Sequence, residues 1–132
     1  LEAGTSASDF EFLPVDVNKN RCLRYYYVHA EGDQKEIACG FYYTSSYLTC
    51  HLQFPQEMRS APSLIKTSGT NYYKAWRAGS SDSFDDFNDG IQSATTTSCG
   101  MDGSTGVSGT QGEGNRIITV NGSSLIAFNA EL

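Results

Sequence analysis

Basic residues are scarce in this sequence. Nine Lys and Arg stand against fifteen Asp and Glu among 132 residues, which gives a formal net charge of −6 at pH 7 and a pI near 4.7. Domains that bind nucleic acids usually carry a basic patch that neutralises phosphates. Only Lys19, Arg21 and Arg24 cluster here, and strand alternation can divide them between two faces. The composition therefore argues against a nucleic-acid partner.

Long apolar runs are also missing. No stretch approaches the ~20 apolar residues of a membrane-spanning helix, so we expect no membrane insertion. The sequence begins at Leu1, without Met and without a signal-peptide pattern. We therefore expect it to be a fragment, or a processed C-terminal part, of a longer protein.

Residues that carry catalysis in other proteins are few. The two histidines, His29 and His51, lie in or beside predicted strands, where a histidine is more often structural than a base. There is no Gly-x-Ser-x-Gly elbow. The glycine-rich segment 103–109 lacks the Gly-Lys-Ser/Thr of a phosphate loop and has no helix after it. We predict no catalytic residues, no cofactor and no enzymatic activity.

Cysteines with the spacing of a zinc site are absent. The four stand at positions 22, 39, 50 and 99, without a Cys-x-x-Cys pair. Four cysteines allow three disulfide pairings, which the sequence does not distinguish. Three of them lie inside predicted strands, and Cys99 is the last residue of another; a free cysteine in a strand behaves as a small buried hydrophobe. Because thiols are the default in a bacterial cytoplasm, we expect buried thiols, with disulfides or a metal site as alternatives.

Aromatic residues and Thr are plentiful, and charged residues make up only 18%, which favours strands over helices. No stretch shows a convincing ten-residue helical period. Alternation and turn signals predict strands over segments 21–29, 36–44, 47–54, 63–67, 72–76, 91–99, 116–120 and 124–132. We predict an all-β, antiparallel two-sheet sandwich, jelly-roll-like, of about eight strands. It would span residues 21–132, after an N-terminal arm or linker over residues 1–20.

Turn residues predict the connections between these strands. Gly32-Asp33 predicts a hairpin loop over residues 30–35, and Asn121-Gly122 predicts a type I′ hairpin between the last two strands. Segments 78–90 and 100–114 are polar or glycine-rich, and we predict that both are long loops.

A segment bounded by prolines joins the third and fourth predicted strands. Pro55 lacks a backbone donor, so a strand ladder ends there, and Pro62 pushes the residue before it toward extended geometry. Met58 can fill a core while Arg59 stays in water or pairs with an acid. We interpret the segment as a structural corner between two sheets, with the motif residues Phe54, Pro55, Met58, Arg59 and Pro62.

The same segment carries a resemblance. Phe-Pro-x-x-Met-Arg-x-x-Pro resembles a motif in C-terminal domains of tailed-phage tail and fibre proteins. Segment 1–11 resembles the LExGxxATxFE stretch that precedes this domain, segment 21–26 resembles its LCxRYY first strand, and segment 127–132 is similar to its final strand. Asp9 and Leu23 depart from the usual residues, and segment 67–115 carries no motif of the family. The resemblance implies an antiparallel β-sandwich, often trimeric, displayed on a virion and without enzymatic activity.

From this resemblance we expect a structural virion protein, the C-terminal domain of a tail fibre or related appendage. It would be exposed to the host cell surface and bind a host glycan or protein. It would assemble as a homotrimer and would also contact other virion proteins. A capsid decoration or cement protein with the same sandwich is the alternative. A polysaccharide-cleaving enzyme is the third reading.

The candidate receptor site lies in segment 72–90. Four Asp and one Asn within segment 82–90 could bind Ca²⁺, but the spacing fails the EF-hand pattern, so we predict a solvated acidic loop and no metal. Sugars are commonly held by an aromatic face and planar polar side chains. We predict Trp76 as a stacking platform, although aromatic residues on strands also form cores and subunit interfaces. The predicted receptor-binding residues are Tyr72, Tyr73, Trp76, Asp82, Asp85, Asp86 and Asn88.

Overall fold

The computed structural model describes residues 13–131. In this range the chain forms one short helix and nine strands. They are α1 (Val15–Leu23), β1 (Tyr26–Glu31), β2 (Glu36–Thr44), β3 (Tyr47–Gln53), β4 (Ser63–Lys66), β5 (Tyr73–Arg77), β6 (Ser80–Phe84), β7 (Ser98–Gly103), β8 (Gly114–Thr119) and β9 (Leu125–Asn129). Between residues 13 and 131, no helix is both long and apolar enough to cross a membrane.

The strands form two antiparallel sheets, which confirms the predicted all-β two-sheet sandwich. The smaller sheet has the order β1-β9-β4, and the larger sheet has the order β6-β5-β8-β2-β3-β7. One buried cluster joins them, and it includes Phe128 of β9 together with Tyr42, Leu48 and Ile117 of the larger sheet. The core therefore lies between the sheets, and each sheet has one side facing outward.

The N-terminal boundary differs from the prediction. Segment 21–29 was predicted to be one strand, but Arg21 to Leu23 end α1 and the strand begins at Tyr26. Pro14 precedes the helix, Asp16 lies in its first turn and Arg21 in its last, so the end charges suit the helix dipole. No residue of α1 is buried, which explains why the sequence has no amphipathic period there. Residues 1–12 of the predicted arm, and with them the segment 1–11 motif, lie outside the described residues.

Both predicted hairpins are wrong, because the strands on either side of each turn do not pair with each other. β1 and β2 belong to different sheets, and so do β8 and β9. Neither Asn121 nor Gly122 has a positive φ, which a type I′ turn requires. Instead the Asn121 side-chain oxygen accepts a hydrogen bond from the Ser123 N–H at 2.8 Å. Both connections therefore carry the chain from one sheet to the other.

Segments 78–90 and 91–99 were also predicted incorrectly. β6 lies inside the predicted acidic loop, because Gly79 at φ +70° permits a tight turn back onto β5. In the predicted Thr-rich strand only Ser98 and Cys99 belong to a strand, and Gln92 forms a single bridge with Gly100. The Thr95 hydroxyl accepts hydrogen bonds from the Thr97 and Ser98 N–H groups, and such local bonds compete with a strand. β7 then extends into the predicted loop 100–114 as far as Gly103.

The segment after β6 runs along the free edge of β7. The Asp85 N–H donates to the Thr105 carbonyl at 3.0 Å, the Asn88 N–H to Asp102 at 2.7 Å, and the Gln92 N–H to Gly100 at 2.8 Å. Unpaired strand edges invite association with other chains. Segment 85–92 therefore protects this edge of the larger sheet.

The predicted corner is confirmed, since the proline-bounded segment leads from β3 in the larger sheet to β4 in the smaller one. Met58 is almost fully buried, and the Phe54 ring meets Phe128 at 4.9 Å between centroids. Pro62 is buried and Pro55 is exposed. The Arg59 guanidinium stays at the surface, 5.6 Å from the centre of the Tyr25 ring.

Candidate functional site

The structure separates the predicted receptor-binding residues. In the β5–β6 hairpin Trp76 pairs with Ser81, and Ala75 pairs with Asp82. Directly paired residues share a face, and successive residues alternate between faces. Because Ala75 is buried in the core, Asp82 lies on the core side of the hairpin, whereas Trp76 lies on the outward side. A ligand stacked on Trp76 would therefore not reach Asp82.

The aromatic neighbours of Trp76 belong to the core. Tyr73 is fully buried, and its ring packs on Phe84 and Phe87 at 5.5 and 4.9 Å between centroids. Burial raises the pKa of Tyr73 to about 12, and its hydroxyl donates to the Thr67 carbonyl. Tyr72 is half-buried against the same core. A receptor has no access to Tyr73 in this fold, so its predicted contact role is corrected to a core role.

The remaining predicted residues accept hydrogen bonds from within the chain. These bonds are Ser108 N to Asp82 at 2.6 Å, Asn71 N to Asp85 at 2.9 Å, Lys66 Nζ to Asp86 at 2.6 Å, and Ser104 Oγ to Asn88 at 2.8 Å. Each bond ties the side chain to another segment of the same chain. Among the residues described, no three or more His, Cys, Asp or Glu side chains gather where they could hold a metal ion.

What the structure does bring together is a set of side chains on the outward side of the larger sheet. Trp76 is 48% exposed, Phe41 49% and Tyr43 63%, whereas Tyr42 between the last two is fully buried. We call this surface the aromatic face. It carries Trp76 on β5, Arg116 on β8, Phe41 and Tyr43 on β2, and His51 on β3.

The strand register fixes the spacing on the aromatic face. Trp76 lies beside Arg116 of β8, and Arg116 lies beside Cys39 of β2. Phe41 is two residues farther along β2, so its Cα should lie roughly 12 Å from that of Trp76, given the usual strand spacing and rise. The residue beside Phe41 on β8 is Gly114, which has no side chain. The β8 position beside Phe41 therefore contributes no side chain to the space between the two aromatic residues.

A depression of about 520 Å³ adjoins Phe41. Its lining includes Thr49, His51 and Gln92 beside Phe41 itself. Gly100 of β7 pairs with His51, and its missing side chain lets Gln92 approach closely, since a Cβ atom there would lie 3.3 Å from the Gln92 Cβ atom. Ser93 at the rim has a φ of +46°, a conformation that is uncommon outside glycine and costs energy.

Phe41, Tyr43 and the depression were not among the predicted site residues. The signal that could have found them is the run Phe41-Tyr42-Tyr43. Three consecutive aromatic residues on a strand must place rings on both sides of a sheet. The run alone does not tell which side is covered by the other sheet.

The cysteines are all free thiols, with Cys22 and Cys39 exposed and Cys50 and Cys99 buried. The expectation of buried thiols is therefore met at two positions of four. Cys39 and Cys50 both line the depression. Burial raises the pKa of Cys50 to about 12 and that of Cys99 to about 11.

We expect two thiols of the native protein to react promptly with Ellman's reagent at mildly alkaline pH, because the thiolate is the reactive form. Cys50 and Cys99 should react only after denaturant is added. The absorbance of the released thionitrobenzoate counts the thiols, and Cys39→Ser should lower the prompt count by one. Four prompt thiols in the native protein would show that the core is open.

Comparison with known protein families, curated proteins and solved structures finds no match to this chain. Its function therefore has to be inferred from its own residues and their arrangement.

Proposed function

We propose that this chain is a non-enzymatic binding domain of a phage tail fibre or related virion appendage, and that it holds a host-surface saccharide on its aromatic face. The observation that carries the binding proposal is the half-exposure of Trp76, Phe41 and Tyr43 on one side of the larger sheet. Exposed clusters of large apolar side chains usually mark interaction sites.

The chemistry of the aromatic face suits a sugar. A sugar ring has an apolar C–H side, which packs on aromatic rings, and hydroxyl groups at its edge. Trp76 and Phe41, on the two strands that flank β8, would take the C–H sides of sugar rings. Thr49, His51 and Gln92 line the adjoining depression and would exchange hydrogen bonds with the hydroxyl groups.

The larger sheet also holds these side chains in fixed positions. β5, β8 and β2 are interior strands, each paired on both sides. Sites built on strands are held more accurately than sites on loops. Less side-chain and backbone freedom is then lost on binding, which raises the affinity.

The virion part of the proposal is supported by the resemblance of the corner segment and of segments 1–11, 21–26 and 127–132 to phage fibre domains. Assembly as a homotrimer would fit such a role physically. A single shallow saccharide site binds weakly, and three linked sites raise the overall avidity without new contacts. A capsid decoration protein would use the same face against another virion protein.

Trp76→Ala tests the saccharide proposal. We expect binding to weaken at least about tenfold, because a central aromatic contact commonly contributes more than 1 kcal/mol. The free energy of unfolding should change by about 1 kcal/mol or less, because the side chain is 48% exposed. Glycan-array binding with bacterial surface polysaccharides would measure the loss. Since Trp76 is the single tryptophan of the chain, wild-type fluorescence titration would report directly on a ligand at this face.

Tyr26→Ala is the matched control. Tyr26 is 41% exposed but lies on β1 of the smaller sheet. Its removal should leave saccharide binding unchanged. Normal binding by Trp76→Ala, with reduced binding by Tyr26→Ala, would move the site to the other sheet. A different result would favour the capsid decoration role: the wild type binds purified virion proteins but no saccharide, and Trp76→Ala loses that binding.

A further inference from the structure

Lys74 adds a positive charge to the aromatic face. It lies two residues before Trp76 on β5, and its Nζ atom is 5.6 Å from the centre of the Trp76 ring. The ion pairs of the described residues involve Lys66, Arg77 and Arg116. Lys74 pairs with no carboxylate in that part of the chain, so its charge is available to a ligand.

The acidic side chains on the outward side of the larger sheet, Glu36 and Asp102, have partners within the chain, although the chain has a net charge of −6. Glu36 is bonded to Arg116, with 2.7 Å between Oε1 and Nη2. Asp102 on β7 is only 6% exposed and accepts a hydrogen bond from the Tyr47 hydroxyl at 2.8 Å. On β6 the outward neighbours of Trp76 and Lys74 are Ser81 and Ser83, which are uncharged.

From this placement we infer that the saccharide taken by the aromatic face is anionic, with its carboxylate or phosphate at Lys74 and the adjoining sugar ring on Trp76. This inference rests on the proposed function and names the ligand class. Cation–π attraction keeps the Lys74 ammonium group next to the ring. An anionic group on a stacked sugar therefore meets a cation that is already in place, and a charge-assisted hydrogen bond can form.

The net negative charge of the chain does not oppose the binding of an anionic saccharide at Lys74. At physiological ionic strength the Debye length is about 8 Å, so distant exposed carboxylates are largely screened. The charges next to the ligand, Lys74 and the Arg116–Glu36 pair, then decide the local sign. Binding should weaken as salt is added, because an exposed charge pair is itself screened.

The test uses paired oligosaccharides that differ only in charge. One pair is a uronate-containing oligosaccharide and its carboxyl-reduced form; the other is a phosphate-bearing oligosaccharide and its dephosphorylated form. We expect the wild-type domain to prefer the anionic member of at least one pair by about fivefold or more. Lys74→Gln should abolish that preference and leave the neutral member bound within about twofold of wild type. Lys74→Arg should restore the preference, and Lys35→Gln, at an exposed lysine in the connection before β2, should have no effect.

The outcomes separate the two proposals. If the wild type binds charged and neutral members equally and Lys74→Gln changes neither, while Trp76→Ala weakens both, the anionic inference is overturned and the saccharide function stands. If Trp76→Ala binds every member as the wild type does, or if no member binds, both proposals fail. The pair that shows the preference tells whether the anionic group is a carboxylate or a phosphate.

Discussion

Phe128→Ala should lower the free energy of unfolding by about 3–5 kcal/mol, the usual cost of truncating a buried phenylalanine. Phe128 is fully buried on the central strand of the smaller sheet. The centroid of its ring lies 4.9 Å from that of Phe54 and 6.3 Å from that of Tyr27. The His29 ring approaches it edge-on, with 6.4 Å between the two centroids. Truncation would leave a cavity where β1, β9 and the corner segment meet.

Urea unfolding followed by circular dichroism would measure this loss. Phe41→Ala makes the same chemical change at a residue that is 49% exposed, and it should cost about 1 kcal/mol, since only half of the side chain leaves an apolar environment. Phe128→Leu keeps most of the volume and should cost less than about 1.5 kcal/mol, which keeps the test usable if the alanine variant fails to fold. Equal losses for Phe128→Ala and Phe41→Ala would contradict the packing of the two sheets around Phe128.

The strand that carries Phe128 was predictable, but its partners were not. Alternation in segment 124–132 indicates a strand, and β9 lies there. The Asn121-Gly122 pair suggested β8 as its neighbour, whereas β9 pairs with β1 and β4. β1 pairs with β9 across nearly the whole length of the chain. Local turn chemistry describes neighbours along the chain, and such distant pairings depend on how the whole core is filled.

At the candidate site, too, the local sequence pattern predicted some features and missed others. Trp76 was predicted to be a surface platform and is exposed, but Asp82 was assigned to the same surface because segment 78–90 was predicted to be a loop. A loop leaves the direction of a side chain open, whereas β6 places Asp82 on the core side, next to Ala75. Lys74 was visible in the sequence at two residues from Trp76. Its relevance depends on where the acidic residues lie, which requires the three-dimensional structure.

Gly40→Ala should destabilise the fold by about 3 kcal/mol, at the upper end of the usual cost of overpacking. A Cβ atom at Gly40 would lie 2.3 Å from the Thr49 carbonyl oxygen and 2.8 Å from the Cys50 Cβ atom. Both atoms belong to β3, which is paired directly with β2 at this point. A backbone carbonyl cannot turn aside as a flexible side chain can, so the two strands would have to move apart.

Gly114→Ala is the matched control, because Gly114 is a neighbouring strand glycine where a Cβ atom would meet only the Gly40 carbonyl oxygen, at 3.9 Å. We expect the stability of Gly114→Ala to be unchanged, or slightly raised through reduced freedom of the unfolded chain. Thermal and urea unfolding of both variants would measure the contrast. Gly40→Ala should also weaken saccharide binding, because Phe41 and Thr49 next to it are paired across the same two strands. A Gly40→Ala variant as stable as Gly114→Ala would show that β2 and β3 do not approach as closely as the structure indicates, and that the depression beside Phe41 is not fixed by this contact.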